Sequence, residues 1–161
     1  MTPDWLIVAR VAHVLGVVIW IGGVGFVTAV LIPAVRSLDD ASLRAEMFER
    51  LENRFAWIAR GAVLLVGASG FYMIVQYDLW TRFSSIAYWW MHAMVALWTI
   101  FAVLLFVAEP LFLHRRFSEE LRRNPDRAFT LIRRAHWFLW IASLLVIAGA
   151  VAGAHGYDFG L

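Results

Sequence analysis

The chain has 161 residues, of which 62% are hydrophobic, well above the roughly 45–50% of a soluble domain. Cysteine is absent, which excludes disulfides, iron–sulfur ligation and thiolate metal sites and leaves histidine, methionine and carboxylates as metal ligands. The net charge of +2 rests on arginine alone on the basic side, and the arginines cluster at the ends of apolar runs, a sign of membrane topology and not of nucleic-acid binding.

Apolar runs long enough to cross a hydrocarbon core of about 30 Å predict an all-α, polytopic membrane bundle. No linker or low-complexity stretch divides it, so residues 1–161 are expected to form one domain. The first run covers about residues 5–35 and is too long for the core of a cleaved signal peptide, so it is expected to stay as a membrane helix. Within it Arg10 and His13 stand three residues apart and share one helix face. Ionisable groups at such depth are costly and point to a function. Gly16, Gly22, Gly23 and Gly25 are small positions where another helix or a flat ligand approaches closely.

Residues 37–54 are charged but helical in pattern. Asp39 or Asp40 is a capping residue, and Leu43, Met47, Leu51 and Phe55 recur at i+4 steps, which predicts an amphipathic surface helix between the first two spans. The second span covers about 55–77, with Arg60 near its start and Gly67 and Gly70 deeper in. A short polar connection, 78–85, leads to the third span at about 86–113, which carries His92 early and Glu109 and Pro110 late. Residues 114–124 form a second basic connection. Asn124, Pro125 and Asp126 then resemble an N-cap followed by proline at the first helical position, opening a fourth span that ends near Ala154.

The connection between spans one and two holds Arg36, Arg44, Arg50 and Arg54. That between three and four holds Arg115, Arg116, Arg122, Arg123 and Arg127, whereas the opposite side offers only Arg82 in its loop. Both basic connections are therefore expected in the cytoplasm of a bacterium, with the chain in the inner membrane and both termini outside.

On that topology His13 lies roughly 12–13 Å below the outer end of its helix and His92 roughly 9 Å below the end of its own. Two level imidazoles on two helices are what a haem between helices requires, so His13 and His92 are the expected axial ligands of a b-type haem. Gly67 and Gly70, near the same level, would clear room for the macrocycle, and Arg10 would sit where a propionate needs a cation. The plainer reading is that a histidine bonds a neighbouring helix and Arg10 snorkels to the interface. Arg60 and Glu109, level with one another, read first as a structural ion pair and second as part of a proton path. His114 and His136 are level at the inner side, where a second haem is conceivable. His155, at the outer end of span four, reads as a surface residue.

Copper is the alternative metal. Met91 and Met94 flank His92 but point well away from it on a helix, so a copper site would draw His13, His92 and His155 from three helices. The nine tryptophans are mostly explained by interfacial belts.

His13, then Trp20, then Gly23 resemble the H-x6-W-x-x-G pattern of the first helix in the CopD-domain and HemJ-type membrane families. Trp20, Gly22 and Gly23 are closest to the W-x-G-G form of copper-resistance D domains. Glu52, Asn53, Arg54 and Phe55 are similar to the E-R-R-hydrophobe segment of HemJ proteins. Trp90, Met91, His92, Ala93 and Met94 look like the HemJ motif W-L-H-x-K, with Met94 in place of the lysine. The resemblance implies a small membrane haem protein with its haem on His13 and His92. For HemJ proteins it further implies oxidation of protoporphyrinogen, and for CopD domains copper handling.

Four readings follow: electron transfer or redox chemistry on a small or membrane-soluble partner; copper handling; HemJ-like oxidation; and a structural or assembly subunit without a cofactor. The bilayer is the expected surrounding partner. A redox partner, a homo-oligomer and the question of enzyme or carrier stay open, and nucleic acid is not expected.

Overall fold

The computed structural model describes residues 4–113, 119–120 and 123–157, and every regular element in them is helical. Asp4 opens α1 (Trp5–Phe26), its carboxylate accepting the Leu6 amide at 3.0 Å. A π-helical turn, Val27–Leu31, joins α1 to α2 (Ile32–Arg36). The wider register sits just before Pro33, whose ring removes one intrahelical donor.

Helix α3 (Ala41–Gln76) starts on Asp40, whose Oδ1 accepts from Ser42 Oγ at 2.6 Å, the Ser42 amide at 2.7 Å and the Leu43 amide at 3.3 Å. These donors, the Ser42 hydroxyl foremost, hold the Asp40 carboxyl below the usual carboxylate range. The amphipathic stretch expected over 37–54 forms the first turns of this single 36-residue helix, about 54 Å long, and runs without a break into the second span. Its apolar face also differs in detail from the sequence reading. Leu43, Met47 and Leu51 are exposed, whereas Phe48 is fully buried and meets Phe129 edge to face at 5.6 Å. Around that pair Val27, Leu31, Ile32, Val35 and Ala128 form a core at the end where α3 begins, here called the basic end.

Two 3-10 turns, Leu79–Ser84 and Ile86–Tyr88, lead into α4 (Trp89–Val103), which continues as a π-helical segment, Leu104–Leu113. In the i→i+5 register the Leu105 carbonyl would accept from the amide of residue 110, which is proline and has none. Arg60 of α3 fills that place, its Nε donating to Leu105 O at 3.1 Å. The same guanidinium meets the Glu109 carboxylate at 2.5 Å and stacks over Trp57 at 4.8 Å. The ion pair expected between Arg60 and Glu109 is present and part-buried.

Helix α5 (Pro125–Ala154) opens as its sequence predicts, with Asn124 Oδ1 accepting the Arg127 amide at 3.1 Å and proline at the first position. His114, Arg115, Arg116 and Arg122 lie outside the described residues.

Four stretches, Trp5–Arg36, Ser42–Gln76, Ile86–Leu111 and Pro125–Ala154, are long and apolar enough to cross a bilayer, and the chain is a multi-pass all-α membrane protein. Neighbouring helices run in opposite directions. Residues early in α1 meet residues late in α3, and Trp89 and Trp90 at the start of α4 lie over Gly149 and Gly153 near the end of α5. A mid-membrane core gathers Trp20, Ile21, Val24, Ala62, Val63, Val66 and Phe101, with Trp20 edge-on to Phe101 at 4.8 Å. Indoles set against glycines are the recurring joint. A β-carbon on Gly25 would stand 2.7 Å from Trp140, and one on Gly67 2.6 Å from Trp98.

Candidate functional site

A polar constellation within the membrane-spanning stretches lies on the seam between α1 and α3. Gly16 lets the helices close, since a β-carbon there would stand 2.8 Å from Val66, and His13, one turn earlier, turns its ring onto α3. His13 Nδ1 lies 3.0 Å from Val66 O and 3.2 Å from Ser69 Oγ. The Ser69 hydroxyl donates to Leu65 O at 2.6 Å, so toward His13 it serves as an acceptor, as does Val66 O. Nδ1 therefore carries the proton and Nε2 carries the lone pair. This is the tautomer, fixed by a backbone carbonyl, that a metal-binding imidazole adopts.

The other described histidines differ. His92, His136 and His155 each set Nδ1 against the carbonyl four residues back on their own chain, at 3.2, 3.0 and 2.8 Å. His92 is exposed, and its Nε2 also faces Phe83 O at 3.0 Å while its ring meets Phe83 edge to face. A neutral imidazole has one N–H for these two acceptors, so one ring nitrogen faces a carbonyl without a proton.

Arg10, one turn nearer the chain terminus than His13, donates from Nη2 to the Tyr77 hydroxyl at 2.8 Å and lies 5.8 Å from the centre of that ring. One bond uses one of five donors and leaves the rest of the guanidinium exposed. Gly70 lies against His13 itself: a β-carbon there would stand 3.1 Å from Cε1. Gly67 does not clear an open space, because Trp98 covers it and donates from its indole to Val63 O at 2.8 Å. Of the five sequence candidates, His13, Gly70 and Arg10 thus gather along the α1–α3 seam. Gly67 belongs to the α3–α4 joint, and His92 faces the 3-10 turn before its own helix.

Sequence reasoning missed Ser69 and Tyr77. A lone serine in an apolar run and a tyrosine at a span's end are weak signals until the register between two helices is known. A groove of about 370 Å³, lined by Trp5, Val8, Ala9, Leu65, Ser69 and Tyr72, flanks the same seam, so Ser69 borders both His13 and the groove. Among the described residues no three His, Asp or Glu side chains stand together as a metal-holding group, and His13, His92 and His155 do not form one. In comparisons with known proteins, the chain matches no family model, no curated protein and no solved structure.

Proposed function

We propose that the chain is a membrane haem b protein acting in electron transfer or redox chemistry, with His13 and His92 as the two residues that would hold the haem. The observation that carries this reading is the His13 imidazole, proton fixed on Nδ1 by Val66 O and lone pair left on Nε2, at membrane depth. His92 fits the same pattern on one side of its ring, with Nδ1 on Tyr88 O, and it would hold the haem through Nε2, the nitrogen that faces Phe83 O. A haem held by two imidazoles supplies one-electron chemistry. Arg10 offers its free donors to a propionate, and Ser69 orients the His13 ring. A membrane-soluble redox partner would approach by the groove beside Ser69.

The likeness of His13, Trp20 and Gly23, and of Trp90 to Met94, to the HemJ and CopD patterns supports the same two histidines. The protein is proposed to lie in a bacterial inner membrane with the basic connections in the cytoplasm. The absence of native cysteine makes this testable with single cysteines at Ser37 and Ser84, both exposed serines in connections at opposite ends of the bundle. An impermeant reagent applied from outside should label position 84 and spare 37, and the reverse pattern would invert the orientation.

The reduced-minus-oxidised absorption spectrum of the purified protein tests the function. A Soret band with sharp α and β bands is expected. A colourless preparation carrying copper would replace this reading with copper handling, and one carrying neither would favour a structural subunit.

A further inference from the structure

The two helices that enter the membrane from the basic end carry one pattern, an arginine followed at i+3 and i+4 by a tryptophan and a large apolar residue. On α3 it is Arg54, Trp57 and Ile58; on α5 it is Arg134, Trp137 and Phe138. Spacings of i, i+3 and i+4 put each triplet on one helix face. Both faces point away from the bundle: Trp57 is 73% exposed, Ile58 57%, Trp137 39% and Phe138 73%. Each has a further arginine beside its first residue, Arg50 one turn before Arg54 and Arg133 next to Arg134. All four arginines are exposed and, among the described residues, have no ion-pair or hydrogen-bond partner. Three other arginines are ion-paired, Arg44 with Asp126 at 3.3 Å, Arg60 with Glu109 and Arg127 with Glu120 at 3.7 Å.

The indoles, by contrast, are held from behind. Trp57 lies against the guanidinium of Arg60, which is itself tied to Glu109 and Leu105 O. Trp137 packs on Trp140 at 5.3 Å, and Trp140 in turn covers Gly25. Past Trp57, Gly61 leaves open space along the lipid-facing side of α3, where an added β-carbon would meet nothing within 4 Å. Free cations at the interface, a fixed indole one turn deeper and an apolar residue beyond it match, in order, a charged headgroup, a glycerol region and an acyl chain.

We propose that these two triplets are binding sites for anionic phospholipids in the leaflet at the basic end. Each guanidinium pair takes the phosphate by forked, charge-assisted hydrogen bonds, and the acyl chain lies along Ile58 and Gly61 on α3 or along Phe138 on α5. A zwitterionic lipid brings its own ammonium group beside the phosphate, so the two unpaired arginines select for a headgroup without one. The expected preference is on the order of fivefold for each arginine engaged.

Native mass spectrometry of the detergent-purified full chain, with phosphatidylglycerol and phosphatidylcholine as competing probes, tests this. The parent should retain two phosphatidylglycerol molecules in preference to phosphatidylcholine. Arg54→Gln and Arg134→Gln should each lose one, the double variant both, and Arg54→Lys should keep most of the preference. Arg127→Gln, at an exposed arginine outside either triplet, should change nothing. Raising ionic strength on the parent, which needs no variant to fold, should weaken phosphatidylglycerol retention and spare phosphatidylcholine. Equal retention of the two lipids, a salt-independent preference, or an Arg127→Gln loss equal to that of Arg54→Gln would overturn the proposal. So would competition by water-soluble glycerol phosphate as effective as that by the lipid, since the site would then read phosphate alone.

Discussion

Gly70 of α3 lies directly against the imidazole of His13, with its missing β-carbon 3.1 Å from Cε1 and 3.4 Å from Nδ1. The ring occupies the volume that a side chain at position 70 would take, and from there Nδ1 reaches Val66 O. Gly70→Val should push the ring off the seam, break that bond and cost on the order of 1–3 kcal/mol through overpacking. Haem content per chain should fall together with the melting temperature. Gly22→Val, on α1 and facing open space, should change neither. Normal haem content in Gly70→Val would mean that the seam does not position the ligand.

Arg10 presents a second handle on the same site. Arg10→Leu gives up one bond to the Tyr77 hydroxyl and, on the proposed reading, the bond to a propionate. A lost hydrogen bond to a charged group is worth about 1.5–3 kcal/mol, so haem retention should weaken while the chain still inserts and folds. The midpoint potential should also fall, because ferric haem carries one more positive charge than ferrous and removing a nearby cation favours it. Redox titration of variant and parent compares the two. Unchanged potential and unchanged haem content would leave Arg10 as an interfacial residue bound to Tyr77.

The Arg60–Glu109 pair makes a prediction independent of any cofactor. Arg60→Leu strands the Glu109 carboxylate and the Leu105 carbonyl that Pro110 cannot serve. Breaking a fully buried pair from one side costs about 3–5 kcal/mol, so this part-buried pair should cost less than that, and Glu109→Gln, which keeps an acceptor for the guanidinium, less again. Replacing both by leucine should recover part of the loss, although Leu105 O stays unserved. Thermal unfolding in detergent reads all three. An Arg60→Leu protein as stable as its parent would remove the pair from the account of the fold.

The spans, the caps on Asp40 and Asn124 and the Arg60–Glu109 pair were legible in the sequence because each depends on local pattern or on depth along a helix. The packed face of α3 was not. Of the i+4 series only Phe55 packs into the core, and Phe48 is buried in place of Leu43, Met47 and Leu51, because the core at the basic end is completed by Phe129, which lies 81 residues further along the chain. The glycines misled for a related reason. A small residue announces close approach but not by what, and at Gly67 and Gly25 the visitor is the chain's own tryptophan. His13 and His92 were matched by depth, which says nothing of rotation about the helix axis. Rotation is what turns His13 onto Val66 and Ser69 and leaves His92 facing Phe83.

The central claim is that His13 and His92 hold a haem, and the most direct measurement is the reduced-minus-oxidised spectrum of the parent beside His13→Ala and His92→Ala. The account predicts a low-spin b-type spectrum in the parent that each substitution abolishes or severely reduces, with His136→Ala, whose Nδ1 faces a carbonyl of its own helix, left normal. A normal low-spin spectrum in His92→Ala would contradict the pair, and one in His13→Ala would contradict the site itself.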